Sequence, residues 1–288
     1  MPIDSSRTQS LFRRLERLIP RLARHAQPDH VHHFRTSIRR LETLLEQLVP
    51  KPDRSQKKLL KRLSKLRKRA GHIRDLDVQV AALKSLKIDR GSQDKRELVD
   101  ALGVERQKWE KKLTNALDAR SSRELRKRLR RAAQNPELHS HNFDPVSRAL
   151  GMFSRLSLSE GALSEKVLHA YRLQCKNIRY VAEMAGAQPE AKAVIDQLKK
   201  MQDAIGEWHD WDTLTVRASR LLAGSSNPPL VTALRAVAKA QLADALLVSN
   251  GAIAALLDLY KASTGRRKPA RAAESASEQP DLAKAANA

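Results

Sequence analysis

Val31-His32-His33-Phe34-Arg35-Thr36-Ser37-Ile38-Arg39 can be laid over Leu168-His169-Ala170-Tyr171-Arg172-Leu173-Gln174-Cys175-Lys176. His169 then falls under His32, Arg172 under Arg35 and Lys176 under Arg39, a displacement of 137 residues. Farther along, Gly206, Asp210 and Asp212 fall under Gly71, Asp75 and Asp77, displaced by 135 residues. Two such similar displacements, each followed by one more helical stretch, describe a duplicated helical unit. A period this long means two homologous lobes rather than a solenoid.

The spacing inside each copy is helical. Val31, Phe34, Ile38, Leu41, Leu45 and Leu48 form a heptad-like stripe ending at Pro50, with Asp29 at the expected N-cap. Leu59, Leu63, Leu66, Ala70, Ile73, Leu76, Val80 and Leu83 share one side of a helix over about 53–86, with Gly71 as a candidate bend. Asp89-Arg90-Gly91-Ser92 reads as a loop, and one further helix continues to about Ala133, short of Pro136. In the second half helices are expected over about 159–185, 189–222 and 229–260, with loops at Gly186 to Gln188 and Gly224 to Pro228. No run of alternating apolar and polar β-branched residues appears, so the fold class is all-α. Lobe one is placed at about 7–135 and lobe two at about 143–261 of a domain over 1–262. Residues 263–288, rich in Ala, Ser, Pro and charge, read as a disordered tail.

Composition narrows the function. There are 55 Lys and Arg against 32 Asp and Glu, a net charge of +23, so self-repulsion argues for a polyanionic partner. Only 3% of residues are aromatic, which disfavours modules that stack single-stranded bases. The longest uncharged runs, Leu221 to Leu234 and Ala245 to Leu257, are too short to span a membrane. Asp4, Arg7, Arg13, Arg14 and Glu16 break up any secretory signal, so a soluble cytoplasmic protein is expected. The only cysteine, Cys175, excludes an internal disulfide and any CxxC motif and is read as a small core residue.

Cationic stripes flank the apolar ones. At about 100° per residue, His32, Arg35 and Arg39 stand at the core edge of one helix, and His169, Arg172, Lys176 and Arg179 do so on its counterpart. Lys58, Arg62, Lys65 and Arg69 form a third stripe, and eleven basic residues lie between Lys51 and Arg74 against one acid, Asp53. A charged run is ordinarily a solvated face. Solvation alone, however, has no reason to reproduce His-x-x-Arg-x-x-x-Arg/Lys at matched positions. Arginine rows bind phosphate oxygens through bidentate, charge-assisted hydrogen bonds.

His32-x-x-Arg35-x-x-x-Arg39-Arg40-Leu41, Arg74-Asp75-Leu76-Asp77, His169-x-x-Arg172 with Lys176 and Ile178-Arg179-Tyr180, and Gln202-Asp203-Ala204-Ile205-Gly206 followed by Asp210 together resemble the CHAD (conserved histidine α-helical domain) family. The resemblance covers about residues 7 to 261. It implies two pseudo-symmetric four-helix bundles around a basic central channel that binds inorganic polyphosphate, and an association with polyphosphate granules. His32, Arg35, Arg39 and Arg40 would line the channel from lobe one, and His169, Arg172, Lys176 and Arg179 from lobe two. Arg62, Lys65, Arg69 and Lys200, on the helices that follow, complete the candidate set. Asn177 departs from the pattern, where many relatives carry a basic residue as Arg40 is here. The fused triphosphatase-type domain of many relatives is not expected in this chain.

No enzyme is expected. The sequence lacks a GxxxxGK[ST] loop, and the i, i+2 spacing of Asp75/Asp77 and Asp210/Asp212 suits ion pairs with Arg74 or neighbouring helices better than a metal. His30 and His33 have ligand spacing but no carboxylate or thiol partner, so neither metal nor other cofactor is expected. Trp208 and Trp211 are read as core residues. The alternative function is non-specific nucleic-acid binding, with Arg123-Glu124-Leu125-Arg126-Lys127-Arg128-Leu129-Arg130-Arg131 as the candidate contact.

Overall fold

The computed structural model describes residues 4–49, 51–88, 92–139, 144–160, 163–223 and 228–265. The described residues are helical with no strand: α1 (Ser5–Arg24), α2 (Pro28–Leu48), α3 (Arg54–Ser85), α4 (Ser92–Ala116), α5 (Ala119–Ala133), α6 (Pro145–Glu160), α7 (Glu165–Ala182), α8 (Pro189–Leu221) and α9 (Pro229–Gly265), plus short 3₁₀ turns at Pro136–His139 and Glu183–Ala185. Pro50, Asp89 to Gly91, Gly224 to Asn227 and the expected tail beyond Gly265 lie outside the described residues.

Local chemistry sets the boundaries, and several differ from the sequence reading. Gln27, not Asp29, occupies the N-cap of α2, because Pro28 with its fixed φ opens the helix and puts Asp29 in the first turn. The helix expected to run unbroken to Ala133 divides at Asp118, whose carboxylate caps α5 by accepting from the Ser121 backbone. Likewise Ser164 caps α7 and separates it from α6. Gly71 interrupts nothing: α3 runs through it, and it leaves open space beside Arg35, whose Nε would lie 3.6 Å from an added Cβ. Helix α9 continues three residues past the boundary expected at 262.

Three apolar cores hold the helices. Phe12, Leu15, Ile19, Phe34, Ile38, Leu63 and Leu125 belong to the first, which joins α1 to α5. Phe153, Tyr171, Ile178, Leu198, Ile205 and Leu256 belong to the second, built from α6 to α9. Cys175 is buried there, and burial pushes its thiol up to about 12. The third core was not expected from two lobes alone. Leu76, Leu83, Leu98 and Leu102 from the far ends of α3 and α4 meet Leu214, Ala218, Leu230 and Leu234 from α8 and α9. The hairpins α3–α4 and α8–α9 therefore extend beyond their own lobes and pack on each other.

Helix α9 is long and apolar enough, by length and composition, to cross a membrane, although its uncharged runs looked too short. Here its buried stripe, Leu230, Leu234, Ala245, Ala252 and Leu256, enters the second and third cores.

Leu214→Ala tests the third core. Leu214 is fully buried, and its truncation is expected to cost about 2–5 kcal/mol in urea unfolding. A cost below ~1 kcal/mol, within the range of surface substitutions, would show that the hairpins do not depend on this contact.

Candidate functional site

Helices α2 and α7 pack on each other where the lobes meet, as do α3 and α8. Between these four helices lies a cavity of about 980 Å³. It is lined from α2 by His32, Arg35, Arg39 and Arg40, and from α7 by Arg172, Lys176 and Arg179. The matched stripes thus face one space, because each stripe borders the apolar face that buries its helix in its own lobe. Arg74 of α3 and Arg14 of α1 add cations; Asp75, Asp77, Asp203, Glu207 and Asp210 add carboxylates.

The cations outnumber what these acids neutralise at close range. Among the described residues no carboxylate forms an ion pair with Arg35, Arg39, Arg172 or Lys176. Arg106 of α4 takes Asp77, with Nε donating to Oδ1 at 2.6 Å, as the sequence reading anticipated for a neighbouring-helix cation. Burial lowers the Lys176 amine to about 7, and Arg172, Arg35 and Arg39 push it the same way while Asp210 opposes. Burial also lowers Arg172, with Arg35 adding to the effect against Asp210 and Asp75. Burial, then Arg67 and Arg35, lower Arg39. His32 is held below the ordinary histidine range by burial, then by Arg74, His33 and Arg35, which favours a neutral imidazole. Asp210 is raised by burial, with Asp75 adding to it against Arg172.

Two expected ligand arginines have a different partner. Arg40 Nε donates to Glu183 Oε2 at 2.7 Å and its Nη2 to Oε1 at 3.2 Å, while Arg179 Nε lies 3.6 Å from Glu183 Oε1. The two guanidinium carbons sit 5.5 and 5.3 Å from the centre of the Tyr180 ring. Burial works against the Arg40 charge, but the Glu183 hydrogen bonds leave it more basic than usual. One carboxylate and one ring thus clasp an arginine from each lobe at the cavity edge.

Five residues of the candidate set do not reach the cavity. Arg62 donates to the Ser121 backbone carbonyl at 3.1 Å, and neither Lys65 nor Arg69 lines the space. Twelve residues at about 100° each turn Arg62 by a third of a revolution from Arg74, the α3 cation that does face in. Lys200 lines a separate hollow with Asp196, Lys199 and Asp258 between α8 and α9, about 200° around the helix from Gln202. His169 is exposed, and its ring packs 5.7 Å from that of His209 instead of repeating the placement of His32. Trp208 is buried as expected, whereas Trp211 is partly buried and also lines the cavity. Sequence reasoning missed Arg14 and Glu183. The periodicity of Phe12, Leu15, Ile19 and Leu22 marks α1 as helical and could have drawn attention to Arg14; the i, i+4 spacing of Glu183 from Arg179 is a local signal, whereas its bond to Arg40 has none.

Comparison with known proteins follows the same lines. The CHAD domain matches residues 7–219, so the chain belongs to the CHAD domain family. It is similar to the crystal structure of the CHAD domain from the plant Ricinus communis, with TM-score 0.62 and 19% identity over 85% of this chain and 88% of that one. It is also similar to PptA from Streptomyces chartreusis, with TM-score 0.59 and 14% identity over 91% of this chain and 100% of that one. Likenesses at these identities speak to the fold. No curated protein matches the sequence.

Two measurements follow from this geometry. Glu183→Gln removes the shared carboxylate from a site where Glu183 is 12% exposed and Arg40 35%, and is expected to lower stability by about 1–3 kcal/mol in urea. Lys176 titrates near 7 folded and near ~10.4 unfolded. Between those values the unfolded chain holds the extra proton, so stability falls as pH drops from about 10 to 7, by at most about 1.4 kcal/mol per unit, and this contribution is flat below 7. Wild type should therefore gain stability relative to Lys176→Met between pH 7 and 9; equal pH profiles would contradict the buried-amine assignment.

Proposed function

We propose that the protein binds inorganic polyphosphate in this cavity without chemical conversion. The observation that carries the reading is the convergence of Arg35 and Arg39 with Arg172 and Lys176, from matched helices of the two lobes, in one space and without carboxylate ion pairs among the described residues. Membership of the CHAD family supports the same ligand. Arginines supply paired donors to phosphate oxygens, Lys176 a point charge and neutral His32 a hydrogen bond. A cavity of about 980 Å³ admits an unbranched phosphate chain. A compact space of that volume is about 10 Å across, narrower than the major groove of a duplex at about 12 Å and so narrower than the duplex itself. The reading extends to a cytoplasmic protein held at polyphosphate granules.

Burial chiefly depresses Lys176, and a bound polyanion offsets the further repulsion from Arg172, Arg35 and Arg39. Long-chain polyphosphate at 100 times its Kd should stabilise the fold by about 2.7 kcal/mol, seen as a raised Tm. No shift would sink the proposal. Replacing Arg35, Arg39, Arg172 and Lys176 with Glu should abolish binding while circular dichroism shows helicity retained. Anion binding raises the Lys176 pKa, so a proton is taken up and affinity should weaken from pH 6 to 8; Lys176→Met should flatten that dependence.

A further inference from the structure

Helices α1 to α4 recur in order as α6 to α9, the C-terminal part of the long α9 packing on α6 in the place that, against α1, belongs to the separate helix α5. Ser122, Leu125, Leu129 and Ala132 suffice to bury it. Yet its 15 residues carry seven Lys and Arg against one acid, Glu124. It lies along α1, and the groove between them, about 680 Å³, is lined by Arg13, Arg17, Arg21 and Arg24 of α1 and Arg126 of α5. The four α1 arginines are exposed and fall at i, i+4, i+8 and i+11, one row rising about 6 Å per four residues. Glu16, the acid in the groove, is taken by Arg130 at 2.8 Å. Arg126 Nε is buried without a hydrogen-bond partner in the protein. This site is separate from the cavity, toward which Arg14 of the same helix turns. Helix α6, which corresponds to α1, carries only Arg148 and Arg155.

We propose that the α1–α5 groove is a second polyanion site, one that takes the phosphodiester backbone of a nucleic-acid duplex without reading sequence. The row is exposed, so a ligand too wide for the cavity can reach it. No aromatic side chain lines it, which leaves phosphates rather than stacked bases as the recognised feature. Exposed arginine rows bind duplex phosphates by displacing condensed counterions. The site does not rest on the cavity reading, and one chain can hold both ligands at once.

The test uses the full chain and a fluorescent 20-base-pair DNA duplex, titrated at several salt concentrations. Five engaged arginines predict a slope of log K against log salt of about −4 to −5. Arg17→Glu/Arg21→Glu/Arg126→Glu should weaken duplex binding at least tenfold and flatten the slope by about 3, with helicity unchanged; the corresponding Gln variant should show a smaller loss in the same direction. Arg35→Glu/Arg172→Glu, in the cavity, should leave duplex binding as in wild type. Duplex binding that survives the groove substitutions, or is lost instead in the cavity variant, overturns the proposal, as does absence of duplex binding at low salt. If polyphosphate fails to bind while the duplex results hold, the cavity reading falls and the groove stands.

Discussion

The Lys176 amine sits in the fields of Arg172, Arg35 and Arg39 and loses its proton near pH 7, since burial and like charge both disfavour the ammonium ion. Other features of the molecule bear on that crowding. Holding four cationic side chains from two lobes in one partly buried space works against folding, so the attachments between lobes have to be made elsewhere. They include the third core, Met184 of lobe two in the first core with its carbonyl accepting from Asp4 N–H at 3.0 Å, and polar contacts of Arg40 with Glu183, Arg217 with Glu105 at 2.6 Å and Arg148 with Gln47 at 3.2 Å. None of these engages Arg35, Arg39, Arg172 or Lys176.

The hairpins make this arrangement possible. Helices α3 and α8, at 32 and 33 residues, are long enough to serve two cores each. Their first halves close the individual lobes, their second halves meet at the junction, and the stretch between carries Arg74, Asp75, Gln202 and Asp210 past the cavity. Acids on this wall moderate the field without cancelling it. Asp77 is held by Arg106, while Asp75 and Asp210 act on Arg172 at longer range. Such a wall positions an anion without offering it a competing ion pair at the arginines of α2 and α7.

Much of this was legible in the chain because helical periodicity and a repeated motif are local properties. Val31, Phe34, Ile38 and Leu41 define the buried side of α2, which fixes Arg35 and Arg39 at its edge, and the same argument places Arg172 and Lys176 on α7. Periodicity says less about which neighbour a face meets. The stripe Lys58, Arg62, Lys65 and Arg69 is as regular as the others, yet it turns away from the cavity: Lys58 and Lys65 are exposed, and Arg62 donates to the Ser121 carbonyl at the start of α5. His169 matches His32 in the alignment but not in its surroundings, because α8 sets His209 beside it. Lys200 occupies the outer side of α8 for the same reason of rotation.

The sequence alone determined an all-α chain with a duplicated motif, an excess of positive charge and the helix edges on which that charge is arranged, since each follows from residue spacing within a single element. Only the tertiary structure decided which cations share a cavity, that Glu183 holds Arg40, and that the two hairpins build a third core. It also placed the basic α5 beside α1. These depend on distances between residues remote in the chain, such as the 143 positions separating Arg40 from Glu183, and no local pattern encodes them.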